Sequence, residues 1–204
     1  TRTSLLKRKE ATVLAQVVSD KEVSAALRQE TALSMLGTGT VKVQAMSYLA
    51  GAGTAIQWAE VAKGLESTPV NTQISILTHA LENKTQSVVL SGLDKFGALD
   101  GKAALDSLLE FKAPTPDIEA RHLQAINSIC SKLSNKALIA TSNSKDLRLK
   151  KCAVKTLASK ARSGNSGLKR KLLPILKKLA RDKNTGLRAL AIEGLGDLNE
   201  KSTH

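Results

Sequence analysis

Apolar residues recur along this chain mostly at three- and four-residue steps, and capping or breaking residues separate the runs. That is the pattern of amphipathic helices laid end to end. Ser19-Asp20-Lys21-Glu22 has the spacing in which two side chains satisfy each other's free backbone N–H, which predicts a helix start there. Val23, Ala26, Leu27, Leu33 and Leu36 follow as its apolar stripe, and Gly37 stops the run. Thr40 opens a segment carrying Val41, Ala45, Met46 and Leu49, closed by Gly51. Thr54 opens another with Ile56, Val61, Ala62 and Leu65, ended by Pro69. Helices are expected at 70–83, 85–99 and 102–111, with Asn83 and Asp100-Gly101 as punctuation. Thr115-Pro116 reads as a cap followed by proline at the first helical position, where its missing N–H costs nothing. No run alternates long enough to compete as a strand, so the expectation is about twelve helices joined by short turns. Turns that short force neighbouring helices to pack antiparallel.

A five-residue pattern (small or apolar, apolar, two free positions, apolar) recurs in the second helix of successive pairs. It reads Ala32-Leu33-Ser34-Met35-Leu36, Ala45-Met46-Ser47-Tyr48-Leu49 and Val89-Leu90-Ser91-Gly92-Leu93. It returns as Ala125-Ile126-Asn127-Ser128-Ile129, Ala153-Val154-Lys155-Thr156-Leu157 and Ala191-Ile192-Glu193-Gly194-Leu195. Any buried amphipathic helix can produce it, but its recurrence points to a helix-turn-helix unit.

Residues 172–198, LLPILKKLARDKNTGLRALAIEGLGDL, carry more. Pro174 lies inside the first helix, Asp182 in the turn and Arg188 early in the second helix, and in this arrangement the stretch resembles a HEAT repeat. Proline within a helix deletes a hydrogen bond and bends it; Asp182 can cap the turn, and Arg188 is expected to pair with such aspartates along the stack. Over 134–165 the resemblance continues with Arg148 in the place of Arg188. Ser142 stands six residues before it, where a serine can cap a turn but offers no carboxylate. Earlier units keep only the apolar skeleton. The resemblance implies an all-α, right-handed α-solenoid of about six HEAT-like antiparallel helix hairpins. It is expected as one continuous domain over 1–204, with a near-neutral half at 1–131 and a strongly basic half at 132–204.

Charge divides the chain. Residues 1–100 hold 10 basic and 9 acidic side chains, whereas 101–204 hold 21 and 9. Within 132–188 there are 17 Lys or Arg against Asp146 and Asp182 alone. This block is interleaved with Leu, Val and Ala, so it belongs to folded helices and forms a surface rather than a tail. Lys150, Lys151 and Lys155 fall on the polar side of one helix. Lys169, Arg170 and Lys171 are expected in the first turn of the next, and Lys177, Lys178 and Arg181 continue along it. Positions 170, 177 and 181 share a side, as do 171 and 178. A solvated face normally mixes signs, with Glu placed four residues before Lys. Three cations in a first turn oppose the helix dipole at a cost of about 0.3–1 kcal/mol each. Both features point to an acidic partner, either an acidic protein segment or a nucleic-acid backbone.

Catalytic chemistry finds little support. His79, His122 and His204 sit in no nucleophile-activating or metal-binding motif, and His79 and His122 are expected on helix surfaces or edges. No cofactor and no metal is expected. Gly37-Thr38-Gly39 and Gly51-Ala52-Gly53 follow no strand and read as helix ends, not phosphate loops. Cys130 and Cys152 lie on apolar faces and read as buried structural thiols. Aromatics amount to 2 % of the chain, namely Trp58, Tyr48, Phe96 and Phe111, so Leu, Ile, Val and Ala must fill the core. The HEAT-like alkylpurine DNA glycosylases resemble this chain as basic helical solenoids, and they are the enzyme alternative to a non-catalytic scaffold. Base recognition there needs aromatic faces, and every aromatic here lies outside the basic block. No stretch of 18 apolar residues exists to form a membrane span. The chain opens at Thr1 without a charged-then-apolar leader and is expected to be a fragment or a subunit of a larger assembly. The sequon Asn83-Lys84-Thr85 is too common by chance to argue for secretion.

Overall fold

The computed structural model describes the backbone of residues 2–37, 41–162 and 166–199, and the side chains of 10–37, 41–162 and 167–198. Among these residues the regular structure is entirely helical. In chain order the helices are α1 (Arg2–Ser19), α2 (Ala25–Met35), α3 (Lys42–Ala52), α4 (Ala55–Leu65), α5 (Val70–Leu81) and α6 (Gln86–Ala98). They continue as α7 (Lys102–Glu110), α8 (Pro116–Lys132), α9 (Asn135–Thr141), α10 (Leu147–Arg162), α11 (Ser166–Leu179) and α12 (Thr185–Asn199). The all-α expectation holds. Two compact units emerge, Thr1–Leu99 with Asp106–Ala125 and Asp100–Leu105 with Ile126–His204.

In the first unit α3 packs on α1, α2, α4 and α5, while α6 packs on α5 and α4. First and second neighbours in the chain therefore touch, which is the packing of a helical repeat. Met46, Leu49, Leu65, Ile76, Leu77 and Phe96 form its fully buried centre. At Gly92 a Cβ would stand 3.2 Å from Ala80 Cβ, so the missing side chain lets α6 lie close against α5. The second unit repeats the scheme. Here α10 packs on α9, α11 and α12, and α11 packs on α12, around Leu138, Val154, Leu157, Leu172 and Leu176.

Several local expectations hold for the reasons given. Thr54 forms a capping box with Gln57, whose side chain accepts from the Thr54 backbone N–H at 2.8 Å. Thr115 Oγ1 accepts from the Ile118 N–H at the start of α8. Others need correction. Ser19 ends α1 instead of opening α2, and its hydroxyl donates to the Ala15 carbonyl at 2.9 Å. The cap of α2 is Ser24, five residues later. The apolar stripe of α2 shifts accordingly: Ala32 and Met35 are buried, whereas Leu27 and Leu33 are exposed. Ile56 is 80 % exposed, and Trp58 takes the interior position expected of it. Gly51 lies within α3, and Gly53 ends it; Gly39 and Thr40 fall outside the described residues.

The five-residue pattern marks interior faces in its four middle copies. In the first and last copies the second position, Leu33 and Ile192, is exposed instead. The pattern alone therefore does not fix burial: Leu33 is exposed although α2 packs on both α1 and α3, and Ile192 is 60 % exposed on α12.

Candidate polyanion-binding surface

Helix α10 begins where Asp146 accepts from two backbone N–H groups, Arg148 at 2.8 Å and Leu149 at 3.2 Å. The same carboxylate takes the Arg148 guanidinium at 2.9 Å. That charged hydrogen bond holds the Asp146 carboxyl below the usual carboxylate range, with the two N–H donors assisting against partial burial. Arg148 thus pairs two residues away and needs no carboxylate at position 142. Beyond the cap, Leu149, Cys152, Ala153, Val154 and Leu157 face inward. Lys151 and Lys155, one turn apart, face solvent, while Lys150 projects from another side and is half-buried.

Helix α11 buries Leu168, Leu172, Leu176 and Leu179. Arg170, Lys171, Pro174, Lys177 and Lys178 cover its outer side, all exposed, and Arg181 follows in the turn beyond the helix. Because α11 already runs from Ser166, Lys169 closes its first turn, as expected, while Arg170 and Lys171 open its second. The expected dipole penalty is correspondingly weaker, since it fades beyond the first turn. Lys169 is half-buried at the edge of the packed face.

The turn before α12 corrects a second expectation. Asp182 Oδ1 accepts from the Asn184 N–H at 2.9 Å, and Asn184 Oδ1 accepts from the Leu187 N–H at 3.1 Å as the helix cap. Arg188 does reach back to this turn, but it donates to the backbone carbonyls of Asp182 and Lys183, both at 2.9 Å. Its partner is the backbone of this turn, not a carboxylate ladder.

The cations of the second unit sort into two populations. Arg148 pairs with Asp146, Arg162 with Asp197 and Lys132 with Asp100, while Lys160 donates to the Leu133 carbonyl. In contrast, Lys150, Lys151, Lys155, Lys169, Arg170, Lys171, Lys177, Lys178 and Arg181 make no ion pair or side-chain hydrogen bond among the described residues. Lys136 on α9 and the turn residues Lys145 and Lys183 belong with them and were missed; all three are exposed, and Lys136 with Lys171 flanks a groove of about 520 Å³ between α9 and α11. Their place inside the 132–188 basic block was the available signal.

Residues of possible catalytic interest are otherwise engaged. His122 is buried, not at a surface: its Nε2 donates to the Leu108 carbonyl at 2.7 Å, and its ring meets Phe111 edge-on. His79 is exposed beside Glu82, and His204 lies outside the described residues. Cys130 and Cys152 are free and buried, as expected. The hydrogen bond with Cys130 and burial push the Cys152 thiol far above its ordinary range, which leaves it protonated. Trp58 is buried with its Nε1–H donated to Ser91 Oγ at 2.9 Å, so its ring is not free to stack on a base. Among the described residues no cluster of three metal-ligating side chains occurs, and no helix is long and apolar enough to cross a membrane.

No protein-family model and no curated protein matches the chain. Among solved structures it is similar to a designed armadillo repeat protein in complex with a (KR)4 peptide, at 17 % identity and a TM-score of 0.33. The match covers 94 % of this chain and 92 % of that one.

Proposed function

We propose that this protein is a non-catalytic helical-repeat scaffold of HEAT type whose basic second unit binds an acidic partner. One observation carries the reading: ten cations on α10, α11 and the following turn, Lys183 included, make no ion pair or side-chain hydrogen bond among the described residues, whereas neighbouring cations of the same unit are tied down. Unpaired like charges repel one another and raise the free energy of the compact state. An anionic partner turns that repulsion into binding energy. The exposed subset, Lys151, Lys155, Arg170, Lys171, Lys177 and Lys178, concentrates the effect.

Replacing these six together by Gln is expected to lower the salt concentration at which the chain leaves immobilised heparin. On duplex DNA, each lost phosphate contact flattens the slope of log affinity against log salt by about 0.9. Co-elution of the folded variant with the parent overturns the reading and leaves the cations as a solvated face. Alkylated duplex DNA incubated with the parent is expected to release no base; release overturns the non-catalytic part.

A further inference from the structure

We infer that the groove between α9 and α11 seats a peptide segment in which an aliphatic side chain is flanked by carboxylates. The inference rests on the acid-binding reading above and narrows its partner to protein. The groove has a mixed lining: Ile139 and Leu168 form an aliphatic floor, while Lys136 on α9 and Lys171 on α11 stand at its two walls. Both lysines are exposed and lack an ion pair or side-chain hydrogen bond among the described residues, so their charge is available to a ligand.

A nucleic-acid backbone offers phosphates to the lysines but nothing to an Ile/Leu floor. Bases would use such a floor only by stacking on aromatic rings, and the second unit has no Phe, Trp or Tyr. An acidic peptide satisfies both features at once, with its aliphatic side chain on the floor and its carboxylates on the walls. Lys178 lies seven residues beyond Lys171 on the same side of α11, about 10 Å further along the axis. A segment running along α11 therefore meets a further cation after leaving the groove. The remaining exposed cations of α11, Arg170 and Lys177, lie round the helix from this line, where they add attraction at longer range.

The test measures binding of fluorescent probes to the full chain by anisotropy. The probes are a short peptide alternating Glu and Leu, one of equal charge alternating Glu and Ser, and a duplex DNA. The Glu/Leu peptide is expected to bind roughly tenfold tighter than the Glu/Ser peptide. Ile139→Ser removes that advantage while leaving the Glu/Ser affinity in place, and Lys136→Gln with Lys171→Gln weakens both peptides with helicity unchanged by circular dichroism. Equal binding of the two peptides overturns the inference and leaves the broader acid-binding reading standing. So does duplex DNA binding tighter than either peptide with a steep salt dependence. Failure of all three probes to bind overturns both.

Discussion

The two units share one way of stacking helices and differ in what they do with polar groups. In the first, polar side chains stitch elements together. Asn83 is buried and donates to the carbonyls of Ala50 at 2.8 Å and Gly53 at 3.0 Å, while its Oδ1 accepts from the Thr85 N–H. Arg121 of α8 pairs with Asp94 of α6, and Lys95 of α6 with Glu66 at the end of α4. In the second unit the cations outnumber their possible partners and stand away from the protein. Similar helical stacking thus supports an internally satisfied surface in one unit and a charged, unsatisfied one in the other. Packing sets the fold; the disposition of leftover charge sets what the fold can bind.

The comparison can be broken first at Asn83. Asn83→Ala removes three hydrogen bonds at once and strands buried backbone groups at the end of α3, so it is expected to cost about 3 kcal/mol in urea unfolding. A cost under about 0.5 kcal/mol means that water replaces the side chain and that the stitching is unimportant. The same burial makes this sequon a poor acceptor in the folded chain, because its nitrogen is already committed to two carbonyls.

A smaller effect belongs to Asp146, the one acid of the second unit that both caps a helix and holds an arginine. Asp146→Ala is expected to cost about 1 kcal/mol at neutral pH. Since its folded pKa lies below the unfolded value, the ionised form stabilises the fold above the unfolded pKa. That contribution is lost as pH falls through the folded pKa. Denaturation of parent and variant from pH 7 downward therefore converges below about pH 4. A gap that stays constant to the lowest pH shows that the carboxylate charge contributes nothing.

The smallest change in stability is expected from the largest substitution. Replacing Lys151, Lys155, Arg170, Lys171, Lys177 and Lys178 by Gln breaks no ion pair or side-chain hydrogen bond among the described residues and relieves mutual repulsion. Its unfolding free energy is expected to stay within about 0.5 kcal/mol of the parent or to rise. A loss of several kcal/mol assigns these side chains to the packing of the second unit and removes the contrast between the units.

The sequence by itself determined that the chain is helical, roughly where most helices begin and end, and that positive charge gathers after residue 132. These properties are local: caps such as Thr54 and Thr115 act within one turn, and periodic apolar spacing is a property of one helix. Which apolar residue goes inside was decided by tertiary structure. Ile56 and Ile192 fit the helical pattern as well as the buried Val61 and Leu198, yet they stand exposed. His122 likewise became interior because the Leu108 carbonyl and the Phe111 ring face it, a match made across fourteen residues that no local pattern encodes. The same holds for charge. Composition counted the cations of 132–188, but only packing brought Asp197 to Arg162, tied Arg188 to the backbone of its own turn and set Lys136 across a groove from Lys171. An ion pair needs two groups to arrive at one place, and the stacking of helices distant in sequence decides which groups arrive.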